Sequence, residues 1–150
     1  MQTDGTDELL PGIGQFDIDD YHGAYALWSR TEGMGLSAAD ERAAIARYLA
    51  RNPGMSSVAR SDGTVVATVL AGHDGRRGYL HHVAVDPAWR GKGIGRAAVA
   101  RSVRALASEG IDRCHLFIFG TNESGQAFWR AVGWRERDDL RIYSRDTAEG

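Results

Sequence analysis

Apolar runs of strand length and segments of helical period both occur along this chain, so it is expected to contain strands and helices together. The clearest instance is Tyr79-Leu80-His81-His82-Val83-Ala84-Val85, followed by the turn Asp86-Pro87-Ala88-Trp89 and the glycine-rich stretch Arg90–Arg96. A long amphipathic segment without Pro or Gly then runs from Arg96 to Glu109. The order reads as strand, turn, loop and helix start. With 150 residues, 43% hydrophobic and 25% charged, the chain suits one ordinary globular domain over 13–150 after a loose polar tail at 1–12.

Taken in order, a short strand is expected near Gly14–Asp17, then a helix over 19–30 capped by Asp19. Tyr21, Tyr25 and Trp28 fall on one face of it. Glu32-Gly33-Met34-Gly35-Leu36 is a loop, and Ser37 caps a second helix that ends before Asn52-Pro53-Gly54. Ser56–Arg60 and Val65–Ala71 form a hairpin around Ser61-Asp62-Gly63-Thr64. His73–Gly78 turns the chain into the strand Gly78–Val85. A helix over Gly93–Glu109 follows, with Val99, Val103 and Leu106 as its buried stripe and Gly95 packed against the sheet. Asp112–Phe119 is a strand, Glu123–Val132 a helix, and Trp134–Glu136 with Leu140–Ser144 a closing hairpin.

Charge and composition narrow the function. A net charge of −2 gives no basic field for nucleic acid or an anionic membrane. No apolar run reaches the roughly 18 residues of a membrane span, and the N-terminus lacks a signal-peptide pattern. The single cysteine, Cys114, excludes an internal disulfide and suits a cytoplasmic protein. No metal site is expected.

The stretch Arg90-Gly91-Lys92-Gly93-Ile94-Gly95-Arg96 carries the chemistry. Glycines at alternate positions let backbone approach a ligand, and free N–H groups at a helix start attract an anion. Arg90, Lys92 and Arg96 add full charges, so the loop suits a diphosphate. It is not a Walker loop, because Gly93 stands where Ser or Thr must follow the Lys. Nor is it a dinucleotide fingerprint, because the spacing is Gly-x-Gly-x-Gly and a Pro turn intervenes.

Arg90-x-x-Gly93-x-Gly95 after Val-Ala-Val-Asp-Pro resembles the acyl-CoA loop of the GCN5-related N-acetyltransferases, the GNAT superfamily. Asn122-x-x-Gly125-x-x-Phe128-Trp129-x-x-x-Gly133-Trp134 is similar to that family's Asn-x-x-Ala-x-x-Phe-Tyr-x-x-x-Gly-Phe segment. The resemblance implies a three-layer αβα fold of mixed α+β type, with a central mixed, mostly antiparallel sheet splayed between its fourth and fifth strands. It also implies acetyl-CoA as cosubstrate, and as acceptor a primary amine on a small molecule or a protein. Transfer would be direct, without an acyl-enzyme, so Cys114 reads as a small buried residue. Cofactor contacts are implied for the main chain of Val83, Ala84 and Val85, for Arg90 through Arg96 with Ile94 included, and for Asn122, Phe128 and Trp129. A homodimer is left open.

The proton chemistry has several candidates. Strand alternation places Tyr79, His81, Val83 and Val85 on one face and His82 and Ala84 on the other. His81 is therefore a candidate base lining the cleft, with an ordinary imidazole pKa of about 6.5. A histidine hydrogen-bonded in the core is the alternative for His81, and it is the reading for His82. Glu32 is the rival base. The family's usual acid, a Tyr after the Phe, is here Trp129, whose indole N–H is not a proton reservoir. The thiolate leaves unaided, or Tyr143 or a water supplies the proton. Tyr25, Trp28, Met34 and Tyr79, beside Glu32 and His81, are the expected acceptor pocket, although aromatics at helical spacing also suit a core. The substitution at Trp129 leaves a second function open, a non-catalytic CoA-binding sensor.

Overall fold

A computed structural model describes residues 11–148 of the chain. The expected tail at 1–12 lies almost wholly outside the described residues. By its internal contacts the chain divides into two compact units at Phe117/Ile118, and each is described by itself.

The first unit is a five-stranded sheet in the order β1-β2-β3-β4-β5, with helices on both faces. The strands are β1 (Gly12–Gln15), β2 (Ser57–Ser61), β3 (Thr64–His73), β4 (Gly78–Val85) and β5 (Cys114–Leu116). β1 to β4 pair antiparallel, and β4 pairs parallel with β5. The helices of this unit are α1 (Tyr21–Ser29), α2 (Arg42–Arg51) and α3 (Ile94–Ser108). The β2–β3 turn uses Asp62 at φ 50° and Gly63 at φ 77°, the two left-handed residues a tight hairpin needs.

Each face has its own core. Phe16, Tyr21, Ala24, Leu27, Trp28 and Ile45 pack with Val58, Leu70 and Ala84 on the α1/α2 side. Ala59, Val66, Ala67 and Ile94 form the α3 side, joined by Val85 and Trp89. On α3 Val99 and Leu106 are buried as expected, together with Ile94, Gly95, Ala98 and Ser102, whereas Val103 is exposed and Ser102 takes its place on the stripe. Two polar ties fix that helix: Ser102 Oγ meets Ser57 Oγ at 2.7 Å, and Arg101 donates to Ser57 Oγ at 3.0 Å and to the Ser56 carbonyl at 3.1 Å. These bonds anchor the helix whose first turn carries the glycine loop.

Several boundaries move for identifiable reasons. Asp17, not Asp19, caps the first helical segment, forming a reciprocal capping box with Asp20 around the 3-10 turn Ile18–Asp20. Ser37 caps as expected, but it opens a separate 3-10 turn, Ala38–Asp40, before α2 begins at Arg42. β5 is shorter than the strand read from the sequence, covering Cys114–Leu116 only.

The second unit contains α4 (Glu123–Ala131). Asn122 caps it, accepting the Gly125 N–H at 3.0 Å. The closing hairpin expected at Trp134–Glu136 and Leu140–Ser144 is not formed: among the described residues no strand follows β5.

Candidate active site

The decisive feature of the site is a bulge in β4. Thr68 pairs with Ala84 but Leu70 pairs with His81, so β4 carries one more residue than β3 across this interval. His82 absorbs the extra residue at φ 48°, a left-handed conformation that costs a non-glycine residue on the order of 1–3 kcal/mol. A buried relay holds it there. Trp28 donates its indole N–H to Thr68 Oγ1 at 2.8 Å, and Thr68 donates its hydroxyl to the His82 carbonyl at 2.8 Å.

The bulge overturns the parity expected from strict alternation. His81 rings against Tyr48 of α2, His82 rings against Trp28 of α1, and Ala84 belongs to the same core. Val85 instead joins the α3 side. His81, His82 and Ala84 thus share the α1/α2 face, and His81 does not share a face with Val85. One extra residue reverses every side chain that follows it.

His82 is also the most tightly held imidazole of this face. Its Nε2 lies 2.7 Å from Asp40 Oδ1, and Asp40 is 6% exposed. The other carboxylate oxygen accepts the Ser37 N–H at 2.9 Å, so the capping box fixes the carboxylate's orientation. Tyr21 donates its hydroxyl to the Asp40 carbonyl at 2.8 Å, securing the same turn from α1. Asp40 and Thr68 carry no mark of function in the sequence. Ser37-x-x-Asp40 reads as a helix start, and nothing in it points forty residues ahead to His82.

The other acid–base candidates sit differently. His81 lies between Tyr48 and Phe117, 6.3 and 6.4 Å between ring centres, and its imidazole makes no hydrogen bond among the described residues. Burial, reinforced by neighbouring His82, pushes its pKa below the ordinary value, with Asp40 opposing. Glu32 is exposed in the loop after α1, and Met34 packs on the α1/α2 core. Trp28, expected in an acceptor pocket, is 1% exposed and holds the bulge from inside the core. Tyr25 is partly exposed beside Tyr21 and Trp28, and Tyr79 stacks on Phe117. Burial raises the pKa of Cys114 to about 11, so it is a protonated thiol at neutral pH, consistent with a structural role.

β4 also parts from its neighbour. Its ladder with β5 ends at Leu80↔Leu116, leaving His81–Val85 without a strand partner on that side among the described residues. Below this edge the chain turns through Pro87–Trp89 into the glycine loop. Asp86 caps that turn and binds Arg30 at 2.7 Å; its carboxyl is held below the usual range by the Ala88 N–H first and by Arg30 second. Arg90 folds back and donates its Nε–H to the Val85 carbonyl at 3.1 Å.

Gly91 and Gly93 have φ of 77° and 79°, and Gly93 is the left-handed N-cap of α3. A Cβ at either would meet no protein atom within 4 Å, so these glycines serve backbone conformation and open approach, not internal packing. The first α3 bond is donated by Ala97 to the Gly93 carbonyl, and the backbone N–H groups from Gly91 to Arg96 find no acceptor among the described residues. Lys92 and Arg96 are exposed beside them. An open surface lined by amides and cations fits a diphosphate such as that of coenzyme A.

In the second unit, Asn122, Phe128 and Trp129 lie on or next to α4. Phe128 packs edge-on against Trp129 at 5.0 Å, and Trp129 against Trp134 at 4.8 Å. Gly125 stands where the family segment has Ala, and a Cβ there would come within 2.7 Å of Asn122 Nδ2 and Ile118 Cδ1. Tyr143 falls in the stretch after α4 that forms neither helix nor strand.

A bulged, unpaired strand edge leads here into a helix start whose amides and cations can receive an anion. Comparison with known proteins gives the family. The Acetyltransferase (GNAT) family matches residues 21–134. An acetyltransferase of Pectobacterium atrosepticum is 31% identical over 130 residues, covering 87% of this chain and 92% of that one. One from Sodalis glossinidius is 27% identical over 137 residues, covering 91% and 96%. The chain belongs to the GNAT acetyltransferase family. Solved structures share the fold. The PaiA N-acetyltransferase of Thermoplasma acidophilum, in complex with coenzyme A, superposes with TM-score 0.72 at 16% identity over 85% of this chain and 91% of that one. The aminoglycoside N-acetyltransferase AAC(6')-Iy with CoA gives 0.71 at 18% identity over 91% and 95%. Among the described residues no helix is long and apolar enough to cross a membrane.

Proposed function

We propose that this acetyltransferase transfers the acetyl group of acetyl-CoA to a primary amine, on a small molecule or a protein, by direct attack in a ternary complex. The observation that carries the reading is the glycine loop: two left-handed glycines and a row of amides at the start of α3, below the edge of β4, both without a backbone partner among the described residues. In this reading Arg90 through Arg96 hold the diphosphate, and the pantetheine arm lies along the main chain of Val83, Ala84 and Val85. Asn122, Phe128 and Trp129 complete the cofactor contacts.

The chemistry needs little more. The amine nitrogen forms a bond to the thioester carbonyl, the carbonyl oxygen becomes an oxyanion, and the carbon–sulfur bond then breaks with its electron pair on sulfur. Strand N–H groups of β4 stabilise the oxyanion. A CoA thiolate, with a pKa of about 8.5 for an ordinary thiol, is a tolerable leaving group without an acid. That matters because Trp129 replaces the family's Tyr, leaving Tyr143 or water as proton donor. Tyr25, Glu32, Met34 and Tyr79 are the proposed acceptor-side residues, with the base drawn from His81, Glu32 or the bulge histidine considered below.

The Trp129 substitution also supports a second reading, a CoA-binding sensor without turnover. Thiol release from acetyl-CoA in the presence of primary amines separates the two. Release that depends on amine establishes transfer, whereas binding of acetyl-CoA with no amine-dependent release establishes the sensor.

A further inference from the structure

We infer that His82, oriented by Asp40, is the residue that takes the proton from the attacking amine, in preference to His81 or Glu32. The inference rests on the transferase reading above and deepens it.

The bulge re-aims His82. With simple alternation it would point away from α1, but at φ 48° its ring lies against Trp28, and Nε2 reaches Asp40 Oδ1 at 2.7 Å. A carboxylate accepts only, so the shared proton belongs to Nε2 and the lone pair is left on Nδ1. Nδ1 has no partner among the described residues. On accepting the amine's proton there, the ring becomes a cation already facing a buried carboxylate, which is the stabilisation a base needs at the moment it charges.

No comparable partner faces the rivals. His81 has rings on either side and no carboxylate in contact, and burial disfavours its charged form. Glu32 is exposed in a loop. The charged and titratable groups around His82 are Asp40 from the 3-10 turn, His81 on β4, and Tyr21 and Tyr25 on α1, with Glu41 and Arg42 behind Tyr21. Of these only Asp40 hydrogen-bonds the ring.

The step balances without a co-reactant. The amine's lone pair forms the carbon–nitrogen bond, its proton passes to His82 Nδ1, the carbon–sulfur pair leaves on sulfur, and the imidazolium returns its proton to solvent. Asp40 acts through His82 and is a positioning residue, as are Thr68 and Trp28, which hold the bulge.

The test uses the full chain with acetyl-CoA and a set of primary amines: propylamine, spermidine and a peptide with a free N-terminus. Thiol release is followed across pH for wild type, His82→Gln, Asp40→Asn and Asp40→Glu, alongside the melting shift that acetyl-CoA produces in each. The expected result is a kcat at least 10²-fold lower in His82→Gln, with the acid-side limb of kcat/KM lost and the acetyl-CoA melting shift intact. Asp40→Asn should lose about tenfold and displace that limb, and Asp40→Glu should recover most of the loss. His82→Gln within threefold of wild type overturns the inference. So does a His82→Gln protein that no longer folds or binds acetyl-CoA, if nitrogen NMR of wild type shows His82 protonated on Nδ1 and bare on Nε2. The Nε2-protonated tautomer with a bare Nδ1 supports the inference in that event. Wild type that binds acetyl-CoA but acetylates no amine refutes the transferase reading itself, and the inference with it.

Discussion

Trp28 and Thr68 are joined by a 2.8 Å hydrogen bond inside the core, and the same Thr68 hydroxyl holds the carbonyl of His82. An aromatic residue on α1 therefore fixes the backbone of a strand more than fifty residues later. The cleft-side geometry of β4 depends on a polar contact that sits wholly out of solvent.

Replacing Thr68 with Val keeps the shape and removes the hydroxyl. Trp28 Nε1 and the His82 carbonyl both lose their partner, and leaving a buried polar group unpaired costs about 1–3 kcal/mol. Urea unfolding should show a loss in that range. Turnover should fall by on the order of tenfold as the bulge loosens, a barrier change of about 1.4 kcal/mol. Unchanged stability would mean that the relay does not hold the bulge.

Much of this was legible in the sequence, and the failures have physical causes. β4 was legible at both ends, and so was the loop, because Pro87 and the glycines punctuate the chain sharply. The second family segment was legible through Asn122, which caps α4 as its spacing implies. The faces of His81 and His82 were not. A bulge at a non-glycine residue leaves no local signal, since the left-handed turn at His82 is imposed by Thr68 and Trp28 from other elements. Asp40 was hidden for the same reason. Its local role in the capping box is complete without His82, so the hydrogen bond between them is visible only in three dimensions.

Trp129 tests whether the missing Tyr matters. If no side chain at that position donates a proton, Trp129→Phe should lower kcat less than tenfold, about 1.4 kcal/mol. Trp129→Tyr should raise the rate at high pH, where other donors are exhausted. A thousandfold loss in Trp129→Phe, measured by thiol release, would give the indole a larger role than packing against Phe128 and Trp134.

His81 has a stability signature of its own. Burial lowers its pKa in the folded state, so the unfolded chain binds the proton more readily. Its contribution is present above the ordinary imidazole value of about 6.5 and is lost as pH falls through the folded value. Wild type should therefore lose stability between pH 7.5 and 5.5 more steeply than His81→Leu in urea unfolding. The same variant should keep the acid limb of kcat/KM, as should Glu32→Gln. Loss of the limb in either would move the base there.

The central claim is that acetyl-CoA binds at the loop opening α3, and its melting-temperature shift tests this most directly. A ligand at a hundred times its Kd stabilises the folded state by about 2.7 kcal/mol, which for a chain of this size is roughly 5–10 °C. Wild type should show that rise. Gly93→Val, which strains a backbone at φ 79° and puts a branched side chain into the open approach, should show none. Gly75→Val, at φ 90° in the β3–β4 turn, imposes a similar strain elsewhere and should keep the rise. A Gly93→Val protein that binds acetyl-CoA as wild type does, or a wild type that shows no rise at saturating acetyl-CoA, would contradict the account.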